Sequence, residues 1–226
     1  MRRSQINTIL QQADAFLRAH NVSLPPFAHL GPDALRASDH SRIVQRRMGW
    51  DITDYGQRNF TALGLVLFTL RNGTIEDLHR GQGMTYAEKL LIVRKTQLSP
   101  MHRHLVKTED IINRAGGTLV VQLFASTPDG ARDLVAPVTV ICDGVARMVQ
   151  AGGTVKLSPG ESVTLRPGDW HAFWAEDADC LLGEVSTVND DETDNLFDPP
   201  LPRFTTIDED TSPWRLLVSD YPHFLA

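Results

Sequence analysis

Two cysteines in 226 residues, Cys142 and Cys180, are too few for a disulfide-stapled scaffold. Each sits inside an apolar, strand-like run, so both read as buried thiols of a reducing, cytoplasmic compartment. No apolar run reaches the roughly 20 residues that cross a bilayer. Behind Arg2 and Arg3 the chain is polar and periodic, so no secretory leader is expected. Positive charge is also short: 22 Lys and Arg stand against 28 Asp and Glu, a net charge of −6, with acids gathered at 190–194 and 208–210. A nucleic-acid surface needs a basic footprint, so that class is excluded, and a small neutral or cationic ligand suits the chain better. Internal repeats and low-complexity tracts are absent.

What remains is ordinary globular material, 42% apolar and 22% charged, enough for one sizeable core. Residues 4–20 place Ile6, Ile9, Leu10, Ala13 and Leu17 at helical spacing, with Ser4 as N-cap. Pro25, Pro26 and Pro32 break the pattern, and a second helix is expected over 39–47, ending before Gly49. Residues 1–62 thus read as a helical arm laid on a body formed by 63–226.

In that body the period changes. Candidate strands cover 64–70, 87–98, 118–125, 138–142, 154–157, 162–165, 172–174 and 181–188, divided by turn chemistry such as Asn72-Gly73, Asp143-Gly144 and Gly152-Gly153. Many short strands without helical crossovers imply an all-β antiparallel sandwich or closed barrel. Ser158-Pro159-Gly160-Glu161 and Arg166-Pro167-Gly168-Asp169 each have the Pro and Gly of a type II turn and bracket one strand. Residues 189–212 read as an acidic loop or lid, and 214–218 as a last strand.

His102 and His104 stand two residues apart, which puts both rings on one face of a strand and would splay them on a helix. Glu109 follows at an odd separation, so a turn through residues 105–108, as in a short hairpin, has to re-aim it. His171 comes just after the Pro167-Gly168 turn, where a strand facing the first begins. With eight histidines a chance His-x-His arises about 0.3 times, so the pair alone is weak. Its combination with Glu109, Gly116 and the turn before His171 is far stronger. Three imidazoles and a carboxylate suit a divalent manganese, iron, cobalt, nickel or zinc ion, with two adjacent positions left for a bidentate oxygen ligand.

These residues also carry a resemblance. His102-x-His104, four residues, Glu109, six residues and Gly116 matches the first cupin motif. Pro167-Gly168-x-x-His171 matches the second, with the proline one place late. Beyond that superfamily the chain resembles the bacterial D-lyxose isomerases (D-lyxose ketol-isomerases) of the cupin type over nearly its whole length. The likeness runs through Leu24-Pro25-Pro26-Phe27-Ala28, Gly49-Trp50-Asp51, Tyr86-Ala87-Glu88-Lys89, Phe173-Trp174-Ala175-Glu176 and Gly183-Glu184-Val185-Ser186. It implies a cupin β-barrel or jelly roll, a homodimer, and a manganese-dependent aldose–ketose isomerase. The reaction implied interconverts D-lyxose and D-xylulose, and D-mannose and D-fructose. Arg103 stands where an aromatic residue is usual; strand alternation turns it away from the metal.

Such an isomerase moves a proton between C1 and C2 of an open-chain sugar, which needs a base and a group that shuttles the hydroxyl proton. Lys107, between the ligands, Lys89 in the 87–98 run, Glu184 on one face with Leu182 and Ser186, and Glu209 in the acidic tail are the candidates. Each has a plain alternative as a solvated turn, strand-edge or loop charge. Phe68, Phe173 and Trp174 read as core aromatics. Three other functions stay open at this point: an iron-dependent cupin dioxygenase, a non-catalytic sugar-binding or storage cupin, and a phosphosugar isomerase, which needs a basic cluster not visible near the motifs.

Overall fold

The computed structural model describes every residue except Ser38 and Ala226. Its strands are β1 (Gly49–Thr53), β2 (Leu65–Asn72), β3 (Tyr86–Val93), β4 (Leu98–His104), β5 (Glu109–Gly116), β6 (Leu119–Ser126) and β7 (Arg132–Asp133). They continue with β8 (Val138–Cys142), β9 (Val145–Val149), β10 (Thr154–Leu157), β11 (Ser162–Leu165), β12 (Trp170–Ala175), β13 (Cys180–Thr187) and β14 (Asn195–Phe197). Two antiparallel sheets result, one ordered β1-β2-β3-β13-β5-β11-β8-β9 and the other β10-β6-β12-β4-β14 with β7 on β6. The all-β, cupin-like expectation is borne out.

The main core lies between the sheets, where Leu67, Leu91, Ile111, Val163 and Leu182 of the first meet Leu119, Val121, Leu157 and Phe173 of the second. The first sheet buries its other face as well, under helix α1 (Arg3–Ala19). Ile6, Ile9, Leu10, Ala13 and Leu17 pack there against Val66, Phe68, Ile92 and Leu181. This double cover explains why 65–68 is an unbroken apolar run rather than an alternating one. Each side chain so buried contributes about 1.5–3 kcal/mol. Phe68 belongs to this layer, stacked with Phe27 and edge-on to Trp50, while Phe173 joins the inter-sheet core. Cys142 and Cys180 are buried and unpaired. Among the described residues no helix is long and apolar enough to cross a membrane.

Both proline-glycine turns form as expected, with Glu161 N donating to Ser158 O at 2.9 Å and Asp169 N to Arg166 O at 3.0 Å. Their glycines adopt φ of 100° and 90°, open only to a residue without Cβ.

Several expectations are corrected. The run 87–98 is two strands, because Thr96 takes φ 63° and Gln97 N turns back to Arg94 O, carrying the chain from one sheet to the other. Residues 39–47 form only a short helix, α3 (Ser41–Gln45), preceded by α2 (Pro32–Arg36). β1 pairs with β2, so the front region supplies a strand to the large sheet and the helical arm stops before Gly49. No strand forms over 214–218; Leu217 makes a single bridge to Trp50 before a 3₁₀ turn, Val218–Asp220.

Ser4 is not the cap of α1. Arg2 holds that position without a side-chain bond, and the acidic tail supplies the acceptors. Asp208 O receives Arg3 N at 2.9 Å, and Asp210 receives both Ser4 N (2.8 Å) and Ser4 Oγ (2.6 Å). A carboxylate at the positive end of a helix dipole that also accepts an orphan N–H stabilises the end twice over. Asp210→Ala is therefore expected to lower unfolding free energy by about 1 kcal/mol in urea titration, with turnover unchanged.

Candidate active site

β4 presents His102 and His104 on one face, and β12 runs antiparallel beside it with His171 directly opposite His102. The second strand is thus a neighbour of the first within one sheet and does not face it. Ring centroids lie 4.1 Å apart for His102 and His171, 5.3 Å for His102 and His104, and 5.6 Å for His104 and His171. The donor nitrogens of all three buried rings fall within 4.8 Å of one another. Glu109 arrives from the other sheet as the first residue of β5. The segment 105–108 is consequently a crossing between sheets and not the hairpin the sequence suggested, and that crossing re-aims the carboxylate. Glu109 Oε1 lies 3.2 Å from Nε2 of both His104 and His171.

His102 Nδ1–H donates to Pro100 O at 2.8 Å and His171 Nδ1–H to Asp169 O at 3.0 Å, so both rings turn an Nε2 lone pair inward. Nε2 of His104 and of His171 are buried without a hydrogen-bond partner. Unpaired buried acceptors of this kind are costly, and a cation is the group that answers them. The three histidines could hold a metal ion, and the Glu109 carboxylate lies beside two of them. Burial, followed by the neighbouring His171 and His104, pushes His102 well below its ordinary pKa. Burial and then Lys107 lower His104 too, which favours the neutral, ligating form. Burial alone would raise Glu109, but Lys107 and the imidazoles outweigh it and hold the carboxyl well below the usual range.

From Glu109 a line of alternating charge runs along the cavity wall. Lys107 Nζ is 2.5 Å from Glu109 Oε2 and 3.0 Å from Glu184 Oε1, and Lys89 Nζ approaches the same Oε1 at 3.4 Å. Lys89 and Glu184 face each other across the β3–β13 pair. Both are buried, as is Lys107. Burial would lower Lys107, yet Glu109 and Glu184 hold it above its ordinary pKa, so it stays an ammonium donor. Lys89 continues to Asn189 Oδ1 (2.5 Å) and Asp191 (3.9 Å); Asp191 meets Arg203 (3.4 Å), and Arg203 meets Asp51 (2.9 Å). Leu65, Leu67, Leu91, Ile111 and Phe173 form the apolar side of the same cavity.

Six of the sequence candidates, Lys89, His102, His104, Lys107, Glu109 and Glu184, line this cavity together, and His171 clusters with the two histidines among them. Glu209 does not join them. Its carboxylate is drawn to Arg3, with contacts of 2.6 and 2.9 Å, because the fully buried Arg3 needs acids and takes Asp220 as well. Arg103 lies over Trp170, away from the histidines, as strand alternation required.

Residues the sequence did not single out come mainly from the covering segment after β13. Asp191, Asn195, Phe197 and Arg203 line the cavity, Phe197 lying 5.5 Å from the His102 ring. Tyr55 and Asp51 come from the front region. Burial pushes the Tyr55 phenol up to about 12, and its hydroxyl meets Ser99 Oγ at 3.1 Å. The only signal for the covering segment was its acidity, which pointed equally to Glu209.

The D-lyxose isomerase family model matches residues 1–221. A D-lyxose/D-mannose isomerase of Serratia proteamaculans is 45% identical over 232 residues, covering 100% of both chains. The D-lyxose/D-mannose isomerase of Escherichia coli O157:H7 is 44% identical over 230 residues, covering 99% of this chain and 100% of its own. This chain belongs to the D-lyxose isomerase family. As a member of the D-lyxose isomerase family it is an isomerase, which sets aside the dioxygenase and storage readings. Among solved structures, the L-ribose isomerase of Geodermatophilus obscurus superposes with a TM-score of 0.60 at 17% identity, covering 92% of this chain and 98% of its own. That of Acinetobacter sp. DL28 in complex with L-ribose gives 0.57 at 15%, with coverages of 87% and 92%. At those identities the likeness shows that the D-lyxose isomerase family fold is shared.

Proposed function

We propose that this protein interconverts D-lyxose with D-xylulose and D-mannose with D-fructose, acting on free sugars. His102, His104, Glu109 and His171 hold a divalent cation, manganese by resemblance, and Glu184 and Lys107 move the protons. The observation that carries the reading is one cavity that joins His102 and His104, clustered with His171, to a buried carboxylate flanked by two lysines. When bound, the cation supplies Lewis-acid polarisation of the sugar oxygens.

The chain's own groups do the rest. Both lysines approach Oε1 of Glu184, which leaves Oε2 as the oxygen able to take the C2 proton and return it to C1. Lys107, held protonated, donates to the oxygen on which charge develops, and hands a proton to O1 as it takes one from O2. The balance is complete: C2–H and O2–H are lost, C1–H and O1–H are gained. Lys89 is set by Asn189 to orient Glu184.

Lys89, Lys107 and Arg203 form the basic cluster not visible in the sequence, but Glu184, Glu109, Asp191 and Asp51 match each of them. Among the described residues lining the cavity every Lys and Arg is paired with a carboxylate, which supports free sugars over phosphorylated ones. The decisive experiment incubates metal-stripped protein, with and without manganese, against free pentoses, hexoses and their phosphates. Ketose is expected from D-lyxose and D-mannose only with metal. Silence across the panel would remove this reading and leave the fold untouched.

A further inference from the structure

We propose that Asp194 is a positioning residue for the metal site, holding the β4–β5 crossing in the one shape that aims both His104 and Lys107 into the cavity. Thr108 at the far end of the crossing is tied to Thr187, and the residues before it lean on one carboxylate. Leu105 and Val106 are 47% and 55% exposed, so no apolar anchor ties them to the core. Three consecutive backbone N–H groups instead converge on one buried side chain. Asp194 Oδ1 accepts from Leu105 N (2.8 Å) and Val106 N (2.7 Å), and Oδ2 from Lys107 N (3.0 Å). Successive backbone N–H groups in a turn form a concavity, a nest, that binds an anion, and here the anion is the Asp194 carboxylate.

The same carboxylate reaches the ligands. His102 and His171 each tie Nδ1 to a backbone carbonyl, whereas Nδ1 of His104 is buried without a hydrogen-bond partner. Asp194 Oδ2 stands 3.8 Å from it. At that distance Asp194 is a charge neighbour of the His104 ring and not a hydrogen-bond acceptor, so it acts on His104 mainly through the backbone it holds. It is fixed in register, because β14 begins at the next residue and pairs Asn195 with His104. A segment 85–90 residues downstream in the chain thus sets a metal ligand and its neighbouring lysine together.

This inference rests on the proposed metal site and is separable from it. Metal-stripped wild type, Asp194→Ala, Asp194→Asn and Asp198→Ala are titrated with manganese, and the free ion is followed by electron paramagnetic resonance. Asp198 ties the same covering segment to Arg132 and touches neither the crossing nor the cavity. Asp194→Ala is expected to weaken manganese binding by about 10–100-fold, the usual effect of losing a ligand's outer partner. Asp194→Asn, which keeps one accepting oxygen, should fall between, and Asp198→Ala should stay within about twofold of wild type, as a mere loosening of the segment would not reach the ligands. Saturated with manganese, Asp194→Ala should still show a lowered kcat through misplaced Lys107. Should the alanine variant not fold, the asparagine variant carries the test. Wild-type affinity in the folded variant overturns the inference; absence of manganese uptake by wild type overturns both it and the metal reading.

Discussion

Glu184→Gln is expected to lower kcat by about a thousandfold while KM moves only a few-fold, because a general base contributes about 10²–10⁴ in rate. Glutamine is isosteric and keeps an oxygen for Lys107, which lies 3.0 Å from Oε1, so the pocket's shape survives. What disappears is the ability to accept a proton from carbon. Lys107 and Lys89, at 3.0 and 3.4 Å from Oε1, keep Glu184 in place. The check is isomerisation in deuterated water. Wild type should carry solvent deuterium into the product carbon, and the variant should lose turnover and exchange in parallel. A glutamine variant with wild-type exchange would falsify the assignment, and a wild type that never incorporates deuterium would point to a hydride shift.

Removing a histidine should have the larger effect on the metal. His171→Ala takes away one of three donor nitrogens and leaves Glu109 Oε1 against His104 alone. Loss of a direct ligand exceeds the roughly 10–100-fold penalty of losing an outer partner, so manganese affinity should fall by more than about a hundredfold. Activity should vanish at manganese concentrations that saturate wild type. Dialysis against a chelator should do the same to wild type reversibly, and added manganese should restore it. The alanine variant loses the Nδ1 hydrogen bond to Asp169 O along with the unpaired Nε2, and its fold is checked by circular dichroism. Full turnover by a chelated His171→Ala protein would end the metal reading.

The residues that were legible had short-range signatures. His102-x-His104 states its own geometry, since two side chains at i and i+2 on a strand share a face. The type II turn before His171 names its conformation through Pro167 and Gly168, whose φ of 90° excludes other residues. Glu184 showed itself by standing in an apolar run with Leu182, also buried. The helix α1 was plain from its 3.6-residue period, and strands 138–142, 154–157 and 162–165 emerge with the bounds their turns dictated.

Glu209 shows where such reasoning stops. It and Asp191 are acids in the same polar stretch, and nothing local separates them. Asp191 enters the cavity because Arg203 and Lys89 draw it there, while Glu209 is drawn off by Arg3 more than 200 residues away. Charge carries no address along the chain; only the fold says which cation an acid will meet.

The sequence by itself determined that this chain is all-β with an amphipathic arm, that two imidazoles share a strand face, and that it resembles the D-lyxose isomerases. Periodicity, turn chemistry and motif spacing are properties of neighbours in the chain, so they survive without coordinates. Tertiary structure alone decided that β4 and β5 belong to different sheets, that Lys89, Glu184 and Lys107 form one contact, and that Asp194 reaches back to the β4–β5 crossing. Those facts depend on which distant strands pair, and pairing is settled by burial of the whole core rather than by any local segment.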